Sequence, residues 1–317
     1  MSDNERPVPT DTSGRPQRPE DPETISTRDA TAREPVESTT PATEAAPDAH
    51  RQPWRRKLPK WSLWLSLAVL GWFALAAFGP KIGIVPWQTG LGFMLRDAGP
   101  ILLGIAVVFA LIALLFAFFK TPRGPWWKAA LALAIPAVLF AGLLMIRAQA
   151  SSVPPIHDVA TDLRNPPAFS PETMAIRADE DANPLNDYGT PLGLLPMWSG
   201  SGDAVLKEKN HADIIAENYD ELEPIIVTNA SQEEVMDAIV AAMGEMGLQD
   251  VRRVPASNSV EGVAETFAFG FKDDVVVRLL DRQIDIRSVS RVGQSDLGYN
   301  ADRVEELSEA IRERLGQ

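Results

Sequence analysis

The chain has 317 residues, a formal net charge of −13 and no cysteine. Without cysteine, thiol nucleophiles, disulfides and thiolate metal sites are excluded. The acidity argues against nucleic acid, whose phosphates need Lys and Arg, and it is concentrated: residues 151–317 hold 31 acidic and 14 basic residues, a net of −17.

Residues 1–50 contain 11 Asp/Glu and 5 Lys/Arg, with Val8, Ile25 and Val36 as the only large aliphatics. Such a segment buries too little apolar surface to offset its ordering entropy, so it is predicted to be a disordered acidic tail. With no apolar stretch and no basic start, it is not a secretory signal.

Three windows, 61–78, 100–119 and 129–146, contain no ionisable residue. A hydrocarbon core of about 30 Å needs roughly 17 to 25 helical residues, so each is long enough to span. They define a three-helix transmembrane region over 51–147. Arg51, Arg55, Arg56, Lys57 and Lys60 precede the first span, and Lys120, Arg123 and Lys128 separate the second from the third. The opposite side offers only Lys81, Arg96, Arg147 and Arg164. By the positive-inside rule the N-terminus is cytoplasmic and the part after the third span lies outside, in the periplasm of a Gram-negative cell. The expected location is therefore a multi-pass bacterial inner membrane. Trp54, Trp61, Trp64, Trp126 and Trp127 stand at the span borders, where amphipathic rings favour the headgroup zone. The loop 79–99 is mostly apolar but broken by Pro86 and Arg96, so it is expected to lie in the interface or dip into it, not to form a fourth span. Spans without charges read as an anchor or partner-binding bundle, not as an ion path. Pro136 is expected to kink the third.

Residues 148–222 are punctuated by proline and read mainly as an extended segment that packs on, or links to, the domain beginning at residue 223. The acidic stretch 179–187 lacks the carboxylate spacing of an ordered calcium loop. His157 beside Asp158 suits either a hydrogen-bonded structural role or a ligand role, since His157 and His211 are too few for a strong metal signal.

From residue 223 the pattern becomes regular. A short strand is predicted over 225–228, then a capping box at Ser231 and Glu234, then a helix with Val235, Ile239, Val240, Met243 and Met246 on one stripe and Gly247 as its stop. Strands come next over 249–254, 259–270, 274–280 and 283–290. Phe267, Phe269 and Phe271 are read as strand alternation, with Lys272 and Asp273 in one turn and Asp281 and Arg282 in the next. A last helix covers 301–315. The expected fold is membrane-anchored α+β: three transmembrane helices, then a β-α-β-β-β-β-α domain over 223–317 with an antiparallel sheet and both helices on one face. Its topology resembles TATA-binding-protein-like and, more distantly, helix-grip folds, a likeness of fold only.

The runs Gly270-Phe-Lys-Asp-Asp-Val-Val-Val-Arg278 and Asp285-Ile-Arg-Ser-Val-Ser-Arg-Val-Gly-Gln-Ser-Asp-Leu-Gly298, with Asn300 and Arg303, resemble the family labelled domain of unknown function fourteen ninety-nine. Upstream, Pro155-Ile-His-Asp158, Thr161-Asp162 and Asn165-Pro-Pro167 are similar to it too. The resemblance spans about 154–316 and implies a domain behind bacterial membrane spans, with no reaction attached. The acidic tail and the insert around 179–202 depart from the family and inherit no role from it.

The loop between the last strand and last helix gathers Arg291, Gln294, Ser295, Asp296, Asn300 and Arg303. With His157 and Asp158 these are the candidate ligand-binding residues, able to hold an anion near a helix N-terminus. The other reading is that Asp296 or Asn300 caps the helix while the arginines pair with Asp285 or Asp302. No catalytic set, metal site or cofactor is expected, because G-x-S-x-G, H-E-x-x-H and phosphate-loop patterns are absent. Two functions are open: a non-enzymatic periplasmic domain binding an envelope lipid, small anion or protein partner, or an envelope hydrolase using 291–303.

Overall fold

The computed structural model describes residues 53–119 and 125–317. The acidic tail 1–50 and the border residues Arg51, Lys120 and Arg123 lie outside the described residues, as do the side chains of Trp54, Arg55 and Arg56. Three apolar helices long enough to cross a membrane come first: α1 (Pro53–Phe78), α2 (Gly99–Phe119) and α3 (Trp126–Ser152). They meet along small residues, with Ala76, Ala106, Ala110, Ala113, Ala129 and Ala132 almost fully buried. Small side chains let helix backbones approach closely where lipid offers no hydrophobic drive to associate. The Ser66 hydroxyl adds a bond to the Ala132 carbonyl at 2.6 Å. The second half of the loop 79–99 is helical: a π-helical stretch, Gln88–Ala98, runs directly into α2. The Trp72 indole N–H donates to the Met94 carbonyl in that stretch at 3.0 Å, holding it on α1.

An α+β domain comes after the spans. Its antiparallel sheet has the order β1-β6-β5-β4-β3, with β2 also pairing β6. The strands are β1 (Asp158–Ala160), β2 (Ile225–Ile226), β3 (Gln249–Val254), β4 (Ser259–Glu265), β5 (Lys272–Leu280) and β6 (Gln283–Ser290). Helices α8 (Gln232–Glu245) and α9 (Tyr299–Arg314) cover one face. Helix α8 starts at the expected Ser231/Glu234 capping box and stops before Gly247, whose φ of +75° only glycine adopts freely. Its Val235, Ile239 and Met243 meet Val260, Val275, Val277, Ile284 and Ile286 from the sheet and Val304, Leu307 and Ile311 from α9. Burying each such aliphatic side chain is worth about 1.5–3 kcal/mol, so this layer carries the fold.

Two expectations need correction. Residues 148–222 are not mainly extended: α3 continues through Ser152, and α4 (Pro171–Asp179), α5 (Pro196–Ser199), α6 (Ala204–Glu208) and α7 (His211–Asn218) succeed it. Pro171 and Pro196 open helices, at the position where a missing N–H costs nothing, and Ser170, Asp203 and Asn210 cap their helices through side-chain oxygens. Strand β1 comes from the same segment and pairs Asp158 with Val289 on β6. The second correction concerns the phenylalanines. β4 ends at Glu265 and Lys272 is already the first residue of β5, so the turn is 266–271 and carries Phe267, Phe269 and Phe271. The Thr266 hydroxyl closes it, accepting from the Phe271 N–H at 2.9 Å and donating to the Ala268 carbonyl at 2.5 Å. Positive φ at Phe269 and Gly270 breaks the pleat that the alternation suggested.

That turn lies on the end of α1. The Phe269 N–H donates to the Ala77 carbonyl at 2.6 Å, and Phe267 meets the Phe78 ring edge-on at 5.4 Å. Lys81 reaches the Thr266 carbonyl at 3.1 Å and pairs with Glu265 at 3.2 Å. Trp87 packs edge-on to Phe271 at 5.7 Å. Orphan carbonyls at a helix C-terminus need partners, and here the domain supplies one.

Candidate functional site

The eight candidate residues do not form one open site. They divide among internal networks on the two faces of the sheet. On the helix-covered face, Asn300 is fully buried and saturated. Its amide donates to the His157 carbonyl at 3.0 Å and the Ser290 hydroxyl at 2.9 Å, and its oxygen accepts from Ser288 and Arg303, both at 2.7 Å. Arg303 goes on to Asp273 at 2.8 Å.

Asp296 accepts from the backbone N–H groups of Gly298 at 3.0 Å and Asn300 at 2.7 Å, tying the loop to the start of α9. Desolvation still dominates its titration and pushes it up to about 6. The Ser295 hydroxyl accepts from the Leu297 N–H at 3.2 Å, and Gln294 donates to the Met197 carbonyl at 3.4 Å. These side chains thus serve the turn itself, where Gly293 and Gly298 both have φ of +89°.

On the opposite face, Arg291 grips Asp274 with bonds of 2.6 and 3.0 Å and reaches Glu180 at 2.7 Å. Burial alone would lower its pKa, but Asp274 and Glu180 outweigh that and raise it. Asp274 also pairs with Arg177. The arginines of the loop therefore pair with Asp274, Glu180 and Asp273, not with Asp285 or Asp302. Asp158 takes Arg287 bidentately at 2.9 and 2.6 Å and the Tyr188 hydroxyl at 2.6 Å. Burial raises its carboxyl, but Arg287 and Tyr188 outweigh burial and hold it below the usual carboxylate range.

His157 and His211 sit in an aromatic box. The His157 ring stacks on Trp198 at 5.4 Å, His211 stacks on Tyr188 at 5.5 Å, and the two imidazoles are perpendicular. Both are fully buried, and none of their four ring nitrogens has a hydrogen-bond partner. Desolvation lowers His157 to about 4; Asp158 and the nearby Gln294 backbone offset part of the drop, while His211 and Arg177 add to it. Asp158 is committed to Arg287, and among the described residues no group of three or more His, Cys, Asp or Glu could hold a metal ion.

Two clefts open on the ionic face. One, of about 520 Å³, lies along α4 and the β3–β4 edge and is lined by Glu172, Asp250, Arg252 and Glu261 among others. The other, of about 490 Å³, lies between the loop after α1 and the start of β5. Both include Glu180, Lys272 and Arg291, so they adjoin. Lys272 pairs with Glu180 at 2.9 Å. Burial raises the Glu180 carboxyl, but its bonds from Lys272 and Arg291 outweigh burial and hold it below the ordinary range. Sequence reading placed Lys272 in a turn and gave Glu180 no role. The signal that would have found Lys272 is the contrast of Phe269 and Phe271 with the adjacent cation, an apolar-to-cationic edge in one hairpin; Glu180 is brought to it only by tertiary packing.

Residues 158–311 match the family described as "Protein of unknown function (DUF1499)", so a domain of that family is present behind the membrane helices. No curated protein matches the chain.

Proposed function

We propose that the protein is a multi-pass inner-membrane protein whose outer, α+β part is a non-enzymatic binding domain for an envelope lipid, with a small anion or a protein partner as the other ligand classes it could serve. In this reading 1–50 is a cytoplasmic acidic tail, 51–147 the anchor, and 148–222 packs onto the sheet of 223–317. The excess of Lys and Arg before the first span and between the second and third supports a cytoplasmic N-terminus and a periplasmic domain.

One observation carries the binding reading. The turn 266–271 is fastened to the end of α1 by the Phe269 to Ala77 bond and the Phe78–Phe267 contact, so the adjoining clefts open next to the end of a membrane span. Loop residues 291–303 contribute Arg291 to that surface. The internal partners of Ser295, Asp296 and Asn300 weigh against the hydrolase reading, which needs a free nucleophile and base.

Purification of the full chain in mild detergent, with mass spectrometry of what remains bound, tests this. A stoichiometric lipid, anion or protein without turnover supports it; turnover of an envelope substrate that is lost in Asp296→Ala overturns it in favour of the hydrolase. Orientation is tested by alkaline phosphatase fused after Gln317, which is active only outside the cytoplasm.

A further inference from the structure

The cleft of about 490 Å³ has an apolar floor of Pro80, Val85, Trp87, Phe269 and Phe271 and an ionic rim of Lys272 and Glu180. Its depth relative to a bilayer can be read from the side chains around it. Helix α1 ends at Phe78, and beyond it Ile82, Ile84 and Phe267 are 69%, 63% and 81% exposed. Large apolar side chains turned outward beside the end of a span mark the level where hydrocarbon gives way to headgroups. The cleft opens at that level.

The rim offers one charge of each sign. Arg291 is only 5% exposed on its side chain and its charge is met by Asp274, whereas Lys272 and Glu180 are 41% and 39% exposed and pair with each other at the mouth. A half-exposed pair is worth little and opens cheaply. An anionic headgroup would draw Lys272 away and leave Glu180, whose Oε2 is held by Arg291, with its Oε1 unmet. A group carrying both signs exchanges one internal pair for two new ones, and the carboxylate of Glu180 suits an ammonium that can still donate hydrogen bonds.

Building on the binding reading above, we infer that this cleft holds the headgroup of one phospholipid of the phosphoethanolamine class. Its phosphate sits on Lys272 and its primary ammonium on Glu180. The glycerol region rests on Trp87 and Phe271, and the acyl chains leave along α1.

The test is native mass spectrometry of the full chain in mild detergent with equimolar dioleoyl phosphatidylethanolamine and dioleoyl phosphatidylglycerol. The parent retains one phosphatidylethanolamine. Lys272→Ala weakens retention about fivefold, the loss of one half-exposed pair. Val85→Trp, which fills the floor, abolishes it, and Arg96→Ala, outside the cleft, leaves it unchanged. Far-UV circular dichroism and a cooperative thermal transition matching the parent confirm that the variants fold. Equal retention of phosphatidylglycerol overturns the headgroup class. Retention unaffected by both Lys272→Ala and Val85→Trp overturns the cleft while leaving the broader binding reading intact. A parent that retains no ligand at all overturns both.

Discussion

The two faces of the sheet are both buried, yet they are built from opposite chemistry. Along β5, Val275, Val277 and Leu279 turn toward α8 and α9, while Asp274, Val276 and Arg278 turn the other way. Along β6, Ile284 and Ile286 alternate with Asp285 and Arg287. On the outer face the charges are paired: Arg287 with Asp158, Arg278 with Asp285, Arg291 and Arg177 with Asp274, Arg252 with Glu261. Ser170 and Thr173 of the covering segment supply further hydrogen bonds to Glu261, which a charge in that position needs. Apart from the network of Asn300, Arg303 and Asp273 at one end, the helix face is held by area and tolerates change in proportion to the volume lost. The ionic face is held by completeness, since each member makes sense only with its partner present.

Three measurements sharpen that contrast, each by urea unfolding of the full chain in mild detergent. The largest effect is expected from Arg287→Ala, which leaves the fully buried Asp158 with Tyr188 alone and costs about 3–5 kcal/mol. Replacing both partners, Arg287→Met with Asp158→Leu, recovers most of that loss; a double variant no better than the single one refutes the pairing argument. On the helix face Ile286→Ala costs about 2–5 kcal/mol, set by the cavity left behind. No partner replacement is expected to rescue it.

The most specific effect is on acid stability. His157 is held neutral in the fold at about 4 against 6.5 when unfolded, so its contribution is fully present above 6.5 and is lost as pH falls toward 4. The parent should lose about 3 kcal/mol relative to His157→Phe across that window. His211 acts in the same direction. Asp296 acts the other way: raised to about 6, it favours the fold at low pH and loses that contribution as pH rises from 3.8 through 6. Asp296→Asn therefore steepens the acid loss. Parallel pH curves for the parent and His157→Phe would show that the aromatic box does not titrate as described.

Much of the helix face was legible in the sequence, because it obeys local rules. The Ser231/Glu234 capping box, the stop at Gly247, the strands at 249–254 and 283–290 and the last helix are all set by neighbours in the chain. The ionic face was not legible in this way. Asp158 meets Arg287, and Arg252 meets Glu261, only through strand register and a crossing segment, which no spacing rule encodes. The same reason hid the internal partners of the candidate residues: the loop 291–303 is rich in polar groups, but its composition does not reveal that Asp274, Asp273, Ser288 and Ser290 already engage them. The phenylalanine turn was misread because alternation of period two looks the same in a strand and in a turn whose side chains face a membrane end.

The bond from the Phe269 N–H to the Ala77 carbonyl bears on how the molecule is made. The last turn of the first membrane helix acquires this partner only after the chain has been synthesised past Phe269 and the hairpin has folded. Completion of the α1 end thus waits on the folding of the domain, and a chain arrested before β5 would hold that helix end still unfinished.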